Sequence, residues 1–153
     1  MNEDAIIQLR PWLFFGPYDY TFSEDCLAQM THIINCDSEE SSTSPLAATV
    51  CKFRHMPSQD RDQYPILQTW LPEVVRFAED ARRSGGALYI HCYAGANRSA
   101  ALAFGVAVCA GEPLDHLYTV AQGQTSRAIL TNAGFRRQLA ALTARQNSLD
   151  PTT

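Results

Sequence analysis

Short apolar runs alternate with longer amphipathic segments along this chain. The runs are of the kind found in strands buried inside a sheet, and one of them alternates apolar and polar positions as a half-exposed strand does. The predicted strands are residues 12–16 (WLFFG), 31–36 (THIINC), 49–56 (TVCKFRHM) and 87–92 (ALYIHC). Between the first two, residues 23–30 (SEDCLAQM) predict a short helix with Ser23 as its N-cap.

Helical periodicity dominates the later part of the chain. In residues 72–86 (PEVVRFAEDARRSGG) the apolar positions share one helical face, with Pro72 suited to the first turn. Three further helices are predicted, at residues 98–109, 113 to about 122 and 132 to about 145. Strands interleaved with helices predict a single α/β domain with a central mixed, mostly parallel sheet flanked by helices.

Composition fits one globular domain. The chain has 153 residues, of which 46% are hydrophobic, enough for a sizeable core. Its net charge of −4 argues against nucleic acid as the main partner, because phosphate backbones are bound by excess Lys and Arg. The opening MNEDAIIQLR lacks the pattern of a secretory signal, and no apolar run reaches the length of a membrane span.

Cysteine usage indicates a reducing compartment. The five cysteines are odd in number and have no CxxC spacing, so neither a disulfide framework nor a metal site is expected. We therefore expect a cytoplasmic location, with the nucleus as the alternative, and no membrane partner.

The segment YIHCYAGANRSAAL, residues 89–102, is the main candidate for chemistry. Cys92 ends a predicted central strand, and ligands of α/β sheets bind beyond the carboxyl ends of strands. Arg98, at the start of the next helix, offers a fork of donors that can hold two phosphate oxygens. The same positive field favours a thiolate at Cys92. The loop between them, whose amides can converge on an anion, consists of Tyr93, Ala94, Gly95, Ala96 and Asn97.

A cysteine at the end of a strand is usually just a small buried hydrophobe. The neighbours of Cys92 argue against that interpretation here, because His91, Gly95, Arg98 and Ser99 all accompany it. Gly95 allows the sharp turn that a phosphate-binding loop needs. The combination favours an anion site with an activated nucleophile.

The stretch HCYAGANRSAA, residues 91–101, resembles the phosphate-binding loop of the cysteine-based protein tyrosine phosphatases, and most closely their dual-specificity branch. Two positions depart from the branch's usual pattern: Asn97 stands where Ser or Gly is common, and Thr131 replaces a proline. The resemblance implies a catalytic domain over residues 1–146 followed by a short tail, 147–153. It extends over nearly the whole chain, through LRPWLFFGPYDY (9–20), MTHIINCDSE (30–39), FRHMPSQD (53–60) and TSRAILTNAGFRRQL (125–139).

The resemblance also implies roles for the loop residues. Cys92 would form a thiophosphoryl enzyme that water then hydrolyses, while Arg98 and the loop amides stabilise the transition states, without a metal or other cofactor. His91 would support the thiolate, or be a core histidine whose ring nitrogens have hydrogen-bond partners. Ser99 would donate to the sulfur, or only cap the helix; the two roles are compatible.

A general acid has to come from elsewhere in the chain. The segment PSQDRDQYP offers Asp60 and Asp62, and the family's P-x-x-D pattern favours Asp60; both could instead be solvated loop residues. Asn132 is expected to support the phosphate loop or merely to begin the last helix. Arg127 is expected to line the pocket or to be a surface charge.

The resulting hypothesis is that the chain is a phosphatase that hydrolyses phosphotyrosine and phosphothreonine or phosphoserine. Its expected partner is a phosphorylated protein substrate. One alternative is a phosphatase of inositol lipids or of RNA 5′-phosphates; the uncharged loop, the negative net charge and the PSQD segment argue against it. Another is a phosphoresidue-binding pseudophosphatase, which usually lacks the nucleophile or the arginine. The oligomeric state is not indicated by any pattern.

Overall fold

The computed structural model describes residues 6–17, 29–38 and 52–149. The helix predicted at residues 23–30 lies almost wholly outside these ranges, and so does the beginning of the strand predicted at 49–56. Within the described ranges no helix is long and apolar enough to cross a membrane.

Five strands form one sheet in the order β1-β2-β5-β3-β4, and β1 and β2 pair antiparallel while the other neighbours are parallel. The predicted mixed, mostly parallel sheet is therefore confirmed. The strands are β1 (Ile7–Arg10), β2 (Leu13–Pro17), β3 (His32–Asn35), β4 (Lys52–His55) and β5 (Leu88–Cys92).

The register of the central strands creates one functional edge. Pro17 at the end of β2 pairs with Cys92 at the end of β5, and Asn35 at the end of β3 pairs with His91. The carboxyl ends of three parallel neighbours thus lie side by side, which is where α/β sheets bind their ligands.

Four helices complete the described domain: α1 (Ile66–Arg83), α2 (Arg98–Cys109), α3 (Leu114–Gln122) and α4 (Ala133–Leu149). α2 is the central helix, since every residue from 99 to 108 is buried. It packs on β2 and β5, with α1 and α4 alongside it. The bounds predicted for α2 are confirmed at both ends. α4 continues through Leu149, so the first residues of the predicted tail are helical; the domain boundary itself stays a prediction.

The predicted start of α1 is wrong. Pro72 lies inside the helix, which begins six residues earlier at Ile66. Ile66, Leu67 and Leu71 are buried and extend the same apolar face towards the N-terminus. The proline is tolerated because it lies on the exposed side of the helix. Proline has no backbone N–H to donate to the Gln68 carbonyl four residues earlier, and Gln68 is exposed as well.

Two apolar clusters lie among the residues that the structure describes. The larger unites the described helices with residues of every strand except β4, including Phe15 and Ile90. The smaller consists of Phe14, Met30, Ala87 and Tyr89. Phe15 belongs to the larger cluster and Phe14 to the smaller one. Because successive residues of a strand point to opposite faces, the two clusters lie on opposite faces of the sheet.

Candidate active site

The loop after β5 depends on Gly95. Its φ is +64°, a left-handed conformation that side chains with a Cβ rarely adopt. A Cβ at this position would also overlap the backbone of Gly16 and Pro17 at the end of β2. Gly95 therefore lets the loop fold back against the neighbouring strand, so that Cys92 and Arg98 lie on either side of one tight turn.

The Cys92 thiol is ionised at neutral pH. Its pKa is lowered to about 5, first by a hydrogen bond from the Cys36 side chain and then by hydrogen bonds from the Ser99 hydroxyl and backbone and by the charge of Arg98. Burial opposes this shift, since the residue is only 2% exposed. The sulfur lies 3.2 Å from Ser99 Oγ, so the hydroxyl donates to the thiolate. The predicted role of Ser99 as a donor to the sulfur is compatible with this contact and stays a prediction.

Cys36 is a functional neighbour that sequence reasoning did not assign. It directly follows β3, and its side chain contacts both Cys92 and the carbonyl oxygen of His91, the latter at 3.1 Å. Burial, followed by the hydrogen bond and negative charge of Cys92, raises the pKa of Cys36 well above its usual value. Cys36 therefore stays a thiol, and its single proton has two acceptors within reach, the His91 carbonyl oxygen and the Cys92 sulfur.

Arg98 is held by two groups on the far side of the loop. Its Nη1 nitrogen lies 3.3 Å from Asp37 Oδ1 and 3.2 Å from the Ser58 carbonyl oxygen. The Arg98 and Asp37 side chains are only 15% and 10% exposed, so solvent screens this ion pair weakly. Sequence reasoning missed Asp37 as well, although the loop after a central strand is a frequent source of site residues.

His91 lies beneath the loop and is fully buried. Burial lowers its pKa to about 4, so the imidazole is neutral at pH 7. Its ring stacks on Tyr89, with 5.7 Å between the ring centroids. A neutral, buried ring at this place agrees with both interpretations of the sequence, as a core residue and as a support for the loop.

The two aspartates of the acid loop have different surroundings. Asp60 Oδ1 accepts a hydrogen bond from Asn132 Nδ2 at 2.9 Å, and Asp60 Oδ2 accepts one from Asn97 Nδ2 at 3.0 Å. Asp60 is thereby brought to the phosphate loop. Asp62 instead accepts from the Gly134 backbone N–H at 2.8 Å, at the start of α4. The geometry favours Asp60 as the acid.

Asp62 is engaged in holding α4. Its pKa is lowered by the hydrogen bond from the Gly134 backbone and by Arg137, whose Nη2 donates at 3.1 Å. Asp62 is therefore tied to the start of α4, whereas Asp60 contacts the phosphate loop.

Asn132 lies at the start of α4 and contacts the phosphate loop, because its backbone N–H donates to Asn97 Oδ1 at 3.2 Å. Its Oδ1 accepts from the Phe135 backbone N–H at 3.1 Å, which caps α4, while its Nδ2 holds Asp60. Arg127 contacts the phosphate loop, because its Nε and Nη2 lie 3.3 Å and 3.1 Å from the Gly95 carbonyl oxygen. The side chain therefore supports the loop.

Within the described ranges no group of three or more His, Cys, Asp or Glu side chains could hold a metal ion. What the arrangement offers is a thiolate, a buried guanidinium and a carboxyl group around a single loop. This set can bind a tetrahedral anion, attack its centre and protonate a leaving group.

The sequence of this domain is similar to that of known proteins. The family model described as "Dual specificity phosphatase, catalytic domain" matches residues 14–145. Mouse dual specificity protein phosphatase 19 is 27% identical over 138 residues, which cover 86% of this chain and 59% of the relative. Human dual specificity protein phosphatase 12 is 31% identical over 100 residues, covering 63% of this chain and 29% of the relative. The chain thus spans at most about three fifths of these relatives.

Solved structures show the same fold. Human DUSP28 superposes with a TM-score of 0.79 at 24% identity, covering 93% of this chain and 95% of that one. The human tyrosine phosphatase-like serine/threonine/tyrosine-interacting protein superposes with a TM-score of 0.76 at 24% identity, covering 93% and 97%. With the family model matching most of its length, the chain belongs to the dual specificity phosphatase catalytic domain family.

Proposed function

We propose that this chain is a phosphatase that hydrolyses phosphotyrosine and phosphothreonine or phosphoserine in proteins through a cysteinyl-phosphate intermediate. The observation that carries the proposal is the Cys92 thiol, whose pKa of about 5 makes it a thiolate at neutral pH beside Arg98. A thiolate is the nucleophilic form of cysteine. Membership of the dual specificity phosphatase family supports the same reaction class.

In the first step the Cys92 thiolate attacks phosphorus, so that an S–P bond forms and the P–O bond to the leaving group breaks. Asp60 transfers its proton to the departing oxygen. Arg98, oriented by Asp37 and the Ser58 carbonyl, donates to equatorial oxygens of the phosphoryl group.

In the second step water attacks phosphorus and the S–P bond breaks, which releases inorganic phosphate. Asp60, now a carboxylate, takes a proton from the water. Cys92 departs as a thiolate, and the Ser99 hydroxyl and the Cys36 thiol stabilise its charge.

The surroundings of the loop favour a protein substrate. Tyr93 directly follows the nucleophile and is 72% exposed, which offers an aromatic surface to a bound peptide. The loop holds no cationic side chain before Arg98, so no group in it matches the additional phosphates of an inositol lipid. The net charge of −4 disfavours RNA. Because the nucleophile requires a reduced thiol, we place the protein in the cytoplasm, with the nucleus as the alternative.

A turnover assay on four substrate classes tests the proposal. Phosphotyrosine peptides and phosphothreonine peptides should be hydrolysed faster than inositol phosphates and 5′-triphosphate RNA. Acid quenching during turnover should trap phosphate on the peptide that contains Cys92, as detected by mass spectrometry. Faster release from RNA or inositol phosphates would overturn the protein-directed assignment.

Two variants complete the test. Cys92→Ser should abolish turnover while keeping phosphopeptide binding, because a hydroxyl fits the loop but does not ionise near neutrality. Arg98→Lys should also be severely impaired, because an ammonium group cannot replace a planar bidentate fork. Binding without turnover by the unaltered chain would favour a phosphoresidue-binding module instead.

A further inference from the structure

The two positions that depart from the family's usual sequence pattern contact each other. Asn97 and Thr131 lie within hydrogen-bond distance, with Thr131 Oγ1 3.3 Å from Asn97 Nδ2 and 3.4 Å from Asn97 Oδ1. The Asn97 amide also reaches the next residue and the acid loop: its Oδ1 accepts from the Asn132 backbone N–H at 3.2 Å, and its Nδ2 donates to Asp60 Oδ2 at 3.0 Å.

The orientation of this amide is determined by its partners. A backbone N–H can only donate, so the side of Asn97 that faces Asn132 has to be the oxygen. The opposite side, which faces Asp60, is therefore the NH₂ group, and it donates to Asp60 Oδ2. The amide therefore bridges the start of α4 and the acid loop in one defined direction.

This bridge does not serve as a helix cap. Asn97 occupies the N-cap position of α2, yet its side chain makes no capping hydrogen bond there. Its φ of −119° is also accessible to any residue. Neither helix capping nor backbone strain thus explains an asparagine here, and the contacts of its amide do.

We propose that Asn97 is a positioning residue for the general acid Asp60, an inference that rests on the proposed function. Asp60 is exposed on a loop, where a carboxyl group would otherwise rotate freely. Asn97 holds one of its oxygens and Asn132 holds the other, so the plane of the carboxyl group is set relative to the phosphate loop. A fixed near-attack geometry is what makes a proton donor effective.

The family's common Ser or Gly cannot make this bridge. Glycine has no side chain, and serine has a single oxygen where Asn97 spans the bridge with two separate atoms, Oδ1 towards Asn132 and Nδ2 towards Asp60. Asn97 therefore ties the proposed acid of this chain to the residue next to Arg98. The benefit should be largest for substrates whose leaving group most needs a proton, the aliphatic alcohols of phosphothreonine and phosphoserine.

A double-mutant cycle tests the inference. Asn97→Ser, which restores a common family residue, and Asn97→Ala would each be combined with Asp60→Asn. The substrates would be a phosphothreonine peptide, a phosphotyrosine peptide and nitrophenyl phosphate, whose leaving group departs readily. Thermal unfolding of every variant would show that each is folded.

Both Asn97 variants should lower kcat on the phosphothreonine peptide by about tenfold, a fraction of the 10²–10⁴-fold that a positioned acid contributes. KM should change little, and the loss on nitrophenyl phosphate should be the smallest of the three. In the Asp60→Asn background the same changes at residue 97 should add almost no further loss, because the group being positioned has been removed.

Three outcomes would separate the two proposals. Equal losses on all three substrates, or full losses at residue 97 in the Asp60→Asn background, would overturn the positioning role alone. Unchanged phosphopeptide turnover in Asp60→Asn itself would overturn the acid assignment of the proposed function, whatever Asn97 does.

Discussion

The Cys36 thiol lies within hydrogen-bond reach of the Cys92 sulfur and contributes most to lowering the pKa of Cys92. Cys36 directly follows β3, and Cys92 is the last residue of β5. Because Asn35 at the end of β3 pairs with His91 of β5, the two cysteines lie at the same edge of the sheet. A buried neutral donor beneath a buried anion offsets part of the cost of removing that anion from water.

Removal of the Cys36 thiol should raise the pKa of Cys92. In Cys36→Ala the largest stabilising hydrogen bond is lost, so a smaller fraction of Cys92 is ionised at a given pH. The acid limb of the pH profile of kcat/KM should therefore move to higher pH, and so should the pH dependence of alkylation by iodoacetamide. Cys36→Ser retains a donor and should shift both curves less. Superimposable profiles for all three proteins would show that Cys36 does not act on the nucleophile.

The same contact should make oxidation reversible. Peroxide converts the Cys92 thiolate to a sulfenic acid, and the Cys36 thiol can then displace water from it to form a disulfide. Inactivation should be reversed by dithiothreitol, and a peptide containing both cysteines should be found by mass spectrometry.

Cys36→Ala provides the control for this oxidation. It should still be inactivated, but a growing fraction should resist dithiothreitol as the sulfenic acid oxidises further. Equal recovery of the two proteins would exclude the disulfide.

Much of the fold and the centre of the site could be predicted from the sequence because their signals are local. The bounds of α2 follow from an apolar helical segment that begins at Arg98 and ends at Cys109. The phosphate loop is a continuous motif. The start of α1 was misplaced because Pro72 usually marks a first turn, whereas here its exposed position makes an internal proline tolerable.

The supporting residues could not be predicted in the same way. Cys36 and Asp37 are more than fifty positions from the loop in sequence and reach it only because β3 pairs with β5. Strand order is a tertiary property that the pattern of a single strand does not contain. Similarly, the bridge from Asn97 to Asp60 requires the acid loop and the start of α4 to meet at the phosphate loop.

Loss of the Asp37 carboxylate should impair turnover without weakening substrate binding. Asp37→Asn removes the ion pair that orients Arg98, so the guanidinium is less well placed for the transition state. The site also becomes less negative, which favours binding of a phosphate dianion. We expect kcat to fall by about tenfold, well below the loss of a direct transition-state donor, while KM stays constant or decreases. A raised KM with unchanged kcat in steady-state kinetics would contradict this function of Asp37.

Substitution of Asp60 should mainly lower turnover, whereas substitution of Asp62 should mainly lower stability. Asp60→Asn should lose about 10²–10⁴-fold on phosphopeptides, and more on phosphothreonine than on phosphotyrosine, whose phenol has a pKa near 10. Asp62→Asn should change turnover by less than about tenfold. It should nevertheless lower the melting temperature by a few degrees, because Asp62 caps α4 through Gly134 and pairs with Arg137.

The pH dependence of stability gives an independent check on Asp62. Its pKa is lowered in the folded protein, so its contribution is complete above the unfolded value of about 3.9 and is lost as the pH falls through the folded value. The difference in melting temperature between the wild type and Asp62→Asn should therefore persist at pH 7 and shrink below about pH 4. A large kinetic loss in Asp62→Asn, with no change in melting temperature, would instead move the acid to that residue.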